Sequence, residues 1–201
     1  MLAFFLAIFF AVFTVDAKSF IHRGMELPEG YTEAPITWSG FDSHAAELAG
    51  LTFNGTVENV MAKLEAMGHP LEHPDPELNI TSIKSKDGLP TKNRYRKCGV
   101  GGRGEVAVYP INAGVRYLWG LSDDVKCGNQ PKTCGQISCS WWSAIWWCND
   151  HYAPMEYKCN DMAVYAADVA AHCEAHNRCR GESGETGYLF RVVVGRAYEE
   201  C

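Results

Sequence analysis

Cysteine is missing from the first 97 residues, and that absence divides the chain in two. A basic excess is missing as well. Lys and Arg number 18 against 24 Asp and Glu, for a formal net charge of −6, which removes the electrostatic footprint of a nucleic-acid binder. After the opening residues no apolar run approaches the roughly 20 residues a spanning helix needs, so no transmembrane segment is expected in the mature chain. Neither a nucleophile elbow, a phosphate loop nor a dinucleotide fingerprint occurs. No cofactor or metal is called for, and internal repeats are lacking.

What is present begins with MLAFFLAIFFAVFTVDA, an apolar run ending in small residues. Val15 and Ala17 fit the small-residue positions of a signal-peptidase site, so residues 1–17 read as a signal peptide cut before Lys18 and the protein as secreted. That compartment suits the nine cysteines at 98, 127, 134, 139, 148, 159, 173, 179 and 201. Such density describes a disulfide scaffold, in which cross-links supplement a small core. Nine is odd, so eight are expected to pair, and spacing alone leaves the pairing among Cys98, Cys127, Cys134, Cys139, Cys148, Cys159, Cys173, Cys179 and Cys201 open.

Residues 18–97 read as a cysteine-free pro-region or loose N-terminal segment with short helices. Asp42 or Ser43 can cap HAAELA. Thr56 can cap a second helix whose Val57, Val60, Met61, Leu64 and Met67 share a face, stopped at Gly68. A proline-rich stretch, HPLEHPDPELNITSIKSKDGLP, follows as a linker. Asn54 and Asn79 head glycosylation sequons, marking a candidate glycoprotein. Arg96 and Lys97 stand directly before Cys98, a candidate dibasic processing site releasing the cysteine-rich domain of residues 98–201.

In that second half GEVAVY (104–109) reads as a strand and INAGVRYLWGL (111–121) as a helix buried through Ile111, Val115 and Leu118. Residues 127–134 read as a turn-rich loop, 136–147 as one strand, 160–173 as a helix and 187–198 as a closing strand. The segment CSWWSAIWWCND (139–150) holds four of the chain's six tryptophans. As one continuous strand it puts Trp141, Ile145 and Trp147 in the core and leaves Trp142 and Trp146 partly exposed, a candidate binding face with Asp150 and His151.

Two arrangements carry the enzymatic alternative. His172 and His176 are spaced one helical turn apart, but not as HExxH. Asn149-Asp150-His151 sets a carboxylate beside an imidazole, yet in a sequence that favours a turn. No residue is assigned a catalytic role.

The CGNQ turn at Cys127, the cysteine leading into Ser143-Ala144-Ile145, the helix between Cys159 and Cys173 and the terminal strand closed by Cys201 together resemble the killer-toxin-like secreted proteins of fungi and the related extracellular necrosis-inducing effectors. The resemblance covers residues 98–201. It implies an α+β fold: a disulfide-stabilised two-layer α/β sandwich, an antiparallel sheet with two helices on one face. It also implies a non-enzymatic, cysteine-rich effector or toxin-like virulence protein that binds an extracellular protein, a glycan or a membrane channel. A small secreted hydrolase or carbohydrate-binding protein, and a protease inhibitor presenting residues 128–133, are the alternatives.

Overall fold

The computed structural model describes residues 27, 29–72, 74–83, 94–101, 104–187, 189–197 and 201. The signal peptide of residues 1–17, with Ala17, lies outside the described residues. In chain order the elements are β1 (Thr32–Glu33), β2 (Thr37–Ser39), β3 (Phe53–Asn54), α1 (Val57–Ala66), β4 (Arg94–Cys98), β5 (Val106–Ala107) and α2 (Val108–Trp119). There follow β6 (Lys126–Asn129), β7 (Thr133–Ser140), β8 (Ser143–Asn149), β9 (Met155–Lys158), α3 (Cys159–His172), β10 (Glu174–Ala175), β11 (Arg178–Cys179), β12 (Gly181–Glu185) and β13 (Phe190–Arg196). The fold is mixed α and β, with three α-helices and three sheets among the described residues.

Local chemistry explains the helices. The Thr56 side chain accepts from the Asn59 backbone and the Asn59 side chain accepts from the Thr56 backbone, a reciprocal cap that opens α1 as its sequence indicates. The 3-10 turn at Ala46–Leu48 departs from expectation: Ala45 precedes it without a side-chain cap, rather than Asp42 or Ser43. α2 starts at Val108, so Val108 and Tyr109 are helical and the strand shrinks to β5. Pro110 then lies in the first turn, where its missing N–H costs nothing. α3 is buried nearly all round, from Met162 to Ala167 and again at Val169 and Ala170. Such a helix must be enclosed on several sides; α2, β12, β13 and the 3-10 turn Ile80–Ser82 supply the walls.

The largest sheet has the order β1-β7-β8-β13-β12-β4, antiparallel throughout except for the parallel β1–β7 pair. Its strands divide their side chains between two clusters. Ile137, Ile145, Trp147, Phe190, Val192 and Val194 join the main core with residues of α2 and α3. α2 comes so close to β7 and β8 that a Cβ on Gly114 would lie 2.2 Å from Ser138 Oγ and 3.1 Å from Ile145 Cδ1, so glycine is needed there. On the other side Ala144, Trp146, Val193, Ala197 and the Cys134–Cys148 bridge form a second cluster, with Leu27 and Tyr31 packed over it. The second face of the sheet is therefore covered over this stretch, where the sequence suggested a free one.

The described part of the N-terminal half corrects the expectation of a loose segment. Ile36, Trp38, Phe41, Leu48, Phe53, Val57, Val60 and Leu64 belong to the same core as α2 and α3. β2 pairs with both β3 and β6, completing the four-stranded sheet β3-β2-β6-β9. From α1 the Glu58 carboxylate reaches β7, accepting from Ser138 Oγ at 2.6 Å and from the Cys139 amide at 3.0 Å. Those bonds fall beside the register shift between Gln136 and Ser138, where the ladder alone is interrupted. Long-range pairing has turned a cysteine-free stretch into structural core.

Four disulfides staple the fold: Cys98–Cys173, Cys127–Cys159, Cys134–Cys148 and Cys139–Cys201. Cys179 is left as a free, buried thiol. Burial and the nearby Glu174 and Glu105 carboxylates push that thiol up to about 11.

Candidate functional site

β7 and β8 pair through Ser140 and Ser143, which leaves Trp141 and Trp142 as the two central residues of a hairpin turn. Both have positive φ, 50° and 61°, the backbone of a type I′ turn. That turn normally takes Asn-Gly, because a side chain in the left-handed region costs about 1–2 kcal/mol. Trp141 is 78% exposed and Trp142 40%. The turn is tied down at its base. Trp142 O accepts from the Ala197 amide at 2.9 Å, the Arg196 guanidinium sits 5.7 Å from the Trp142 ring centre, and Cys139–Cys201 anchors the C-terminus to β7.

This geometry reverses part of the tryptophan assignment. Trp141 is solvent-exposed rather than core, and Trp146 is fully buried rather than partly exposed; Trp142 is exposed and Trp147 buried. The continuous strand assumed for 136–147 breaks at the turn, which takes Trp141 out of the core, while Trp146 still faces away from Trp147 and is buried by the cover on that side. Two serines flank the turn, but no Asn or Gly marks it.

β8 and β13 run from the Ser143–Arg196 pair to the Asn149–Phe190 pair, so Asp150 stands at the end of the sheet opposite the tip. Its Oδ1 accepts from Tyr31 Oη at 2.8 Å and from Arg191 Nη1 at 2.6 Å. Arg191 also meets Glu182 at 3.7 Å, and Glu182 meets Lys97 at 3.3 Å. Lys132 donates to the Asp150 carbonyl at 2.6 Å and lies over the exposed Tyr152 ring. Burial alone would depress the Arg191 guanidinium, but Asp150 and then Glu182 outweigh it and hold the group above its ordinary value. The neighbouring Tyr95 phenol is pushed up to about 12, chiefly by burial and then by Glu182. His151 is exposed and its Nδ1 accepts from the Ala153 amide at 3.0 Å, while Asn149 Oδ1 accepts from the His151 amide. Asp150 and His151 thus each stabilise a turn or an ion pair.

No family model matches the chain, and neither a curated protein nor a solved structure matches it.

The remaining candidates are spread over the surface. Arg96 and Lys97 lie inside β4, hydrogen-bonded along β12, in a strand rather than the exposed loop a processing protease favours. Arg96 Nη1 donates to Asp168 Oδ1 at 2.5 Å, and Asp168 also meets His172 Nδ1 at 3.3 Å and accepts from Ser183 Oγ at 2.8 Å. His172 ends α3, and His176 sits at positive φ in the β10–β11 turn, so helical spacing does not unite the two imidazoles. Among the described residues no group of three metal-ligating side chains is assembled, and no helix is long and apolar enough to cross a membrane. Asn54 and Asn79 are both exposed, as a glycan would require.

The loop considered for protease inhibition is anchored inward at Asn129 and Thr133, with Gln130 exposed between them. Asn129 and Thr133 are buried and hydrogen-bonded to each other, and Asn129 Nδ2 also donates to Trp147 O at 2.8 Å. Beneath the sheet Glu185 is buried between Arg94, whose Nε lies 3.8 Å from its Oε1, and Tyr165 Oη, at 3.5 Å. Desolvation raises the Glu185 carboxyl, with Arg94 and the Tyr165 hydrogen bond only partly opposing it. None of Tyr31, Tyr95, Glu182, Arg191 or Arg196 carried a local signal, because each gains meaning from a neighbour on another strand.

Proposed function

We propose that the chain is a secreted, disulfide-stabilised binding protein of the effector or toxin-like kind, which meets an extracellular or membrane-borne target through its Trp141–Trp142 tip. The observation that carries this reading is the exposure of two adjacent indoles on a backbone that disfavours them. Folding alone would favour Asn-Gly at these positions, so the tryptophans answer a different requirement. Trp and Arg are the side chains that dominate protein-interface energies, and Arg196 stands against Trp142 at this tip. Four bridges and the lack of a spanning helix among the described residues are compatible with export.

The layer arrangement we associate with this function is a two-layer α/β sandwich, α2 and α3 against one side of the six-stranded sheet, akin to the killer-toxin-like fungal proteins. The shared cluster of α2, α3 and one face of that sheet supports it. Fluorescently labelled protein added to intact plant and yeast cells tests the function. Saturable surface binding is expected, weakened at least tenfold in Trp141→Asn and in Trp142→Asn. Equal binding by wild type and both variants refutes it.

A further inference from the structure

We propose that the groove beside Asp150, at the end of the sheet remote from the tryptophan tip, is a second binding site that accepts one neutral sugar ring. The groove measures about 410 Å³ and is lined by Tyr95, Lys97, Asp150, Leu189 and Phe190, among others. That volume lies in the range of small-molecule sites.

Three independent features select the ligand. The first is strain. Leu189 is 46% exposed and holds φ at 51°, a conformation in which a leucine is a backbone outlier. Its carbonyl accepts from the Asp150 amide at 2.8 Å, so the strained residue is tied to the backbone of Asp150, whose side chain lines the same groove.

The second feature is the charge balance. Arg191 faces Asp150 at 2.6 Å and Glu182 at 3.7 Å, and Lys97 faces Glu182 at 3.3 Å. Each cation already has a carboxylate, so a charged ligand would have to break an existing pair. A neutral ligand with hydroxyl groups can accept from Lys97 and donate to Asp150 while leaving those pairs intact.

The third feature is the walls. Leu189 is the apolar side chain here, since the Phe190 ring is buried in the core on the other side of the sheet. The Tyr95 ring lies over β12 where Gly184 leaves room: a Cβ there would stand 3.1 Å from the Tyr95 hydroxyl. With its phenol protonated at neutral pH, Tyr95 both donates and accepts. A pyranose combines an apolar C–H face with a rim of uncharged hydroxyls, which is the pattern these walls and polar groups complement.

Titration of the full chain with cellobiose and N,N′-diacetylchitobiose, followed by NMR shift changes, tests the site, with galacturonate and glucosamine as charged comparators. A single sugar ring in an open groove should bind at a Kd on the order of 1 mM. Leu189→Gly removes the wall and suits the positive φ, so that variant keeps its fold and should bind at least tenfold more weakly. Tyr95→Phe removes one hydroxyl and should do the same. Trp141→Asn should bind these sugars like wild type, which separates this site from the tip. Absence of saturable shifts with both neutral sugars up to roughly 50 mM would overturn the proposal, since that excludes any Kd near the expected value. So would binding of the charged probes alone, or wild-type affinity in Leu189→Gly.

Discussion

Replacing Trp141 by Asn should leave stability within about 1 kcal/mol of wild type, even though it deletes the largest kind of side chain. The magnitude follows from two opposed terms. Asn tolerates the left-handed region, so the substitution relieves about 1–2 kcal/mol of backbone strain. Trp141 is 78% exposed, so about a fifth of its surface is covered. A tryptophan can bury roughly 200 Å², so the lost contact is about 40–50 Å², or about 1 kcal/mol at 25 cal/mol per Å². The terms nearly cancel. At Trp142 they do not: with 40% exposure, more than half its surface is covered. Losing about 120 Å² forfeits about 3 kcal/mol, and the Arg196 contact adds about 0.5–1 kcal/mol. Strain relief recovers only part, so Trp142→Asn should destabilise by about 1–3 kcal/mol. Urea denaturation with disulfides intact, followed by far-ultraviolet circular dichroism, measures both variants. A loss above about 2 kcal/mol in Trp141→Asn, or equal losses in the two, would refute the assignment of Trp141 to a contact role.

Other outcomes follow from the same contacts. Trp38→Ala should cost about 3–5 kcal/mol in the same urea assay, because Trp38 is fully buried and its Nε1 donates to Gly55 O at 2.7 Å; a loss below about 1 kcal/mol would show the N-terminal half to be loosely attached after all. Glu58→Ala should cost about 1.5–3 kcal/mol, since it strands the Ser138 hydroxyl and the Cys139 amide beside the register shift, and a neutral effect would contradict that role. The Glu185 carboxyl is raised in the folded state, so its contribution is fully favourable below the ordinary carboxylate pKa and is lost as pH rises through the folded value. The stability difference between wild type and Glu185→Gln should therefore shift in favour of wild type on acidification from neutral pH, and a difference independent of pH would oppose this. Ellman's reagent should find no reactive thiol in the native protein at pH 8 and one after denaturation, the buried Cys179; a count of three thiols would disprove one of the four bridges.

Much of the local structure could be read from residue order. Thr56 announces the start of α1, the apolar register of α3 places it within a residue of its observed bounds, and the β-branched run at Val192–Val194 announces β13. These features depend on neighbours a few positions apart, and propensity and capping act at that range. The tip was hidden because a type I′ turn made of two tryptophans contradicts local preference. The burial of Trp146 leaves no local signal because it is supplied by a cover containing Leu27, Tyr31 and Ala197, none of them near it in sequence.

Residue order by itself therefore determined the chain's cross-linking capacity, its helices and most of its strand propensity. Tertiary structure alone decided that Trp38 and Glu58 belong to the core, that Trp141 faces solvent, and that Asp150, Arg191, Glu182 and Lys97 form one ladder of charge. The physical reason is separation along the chain. Burial and ion pairing depend on distance in space, and strands that meet across many tens of residues leave no trace of that meeting in the residues on either side.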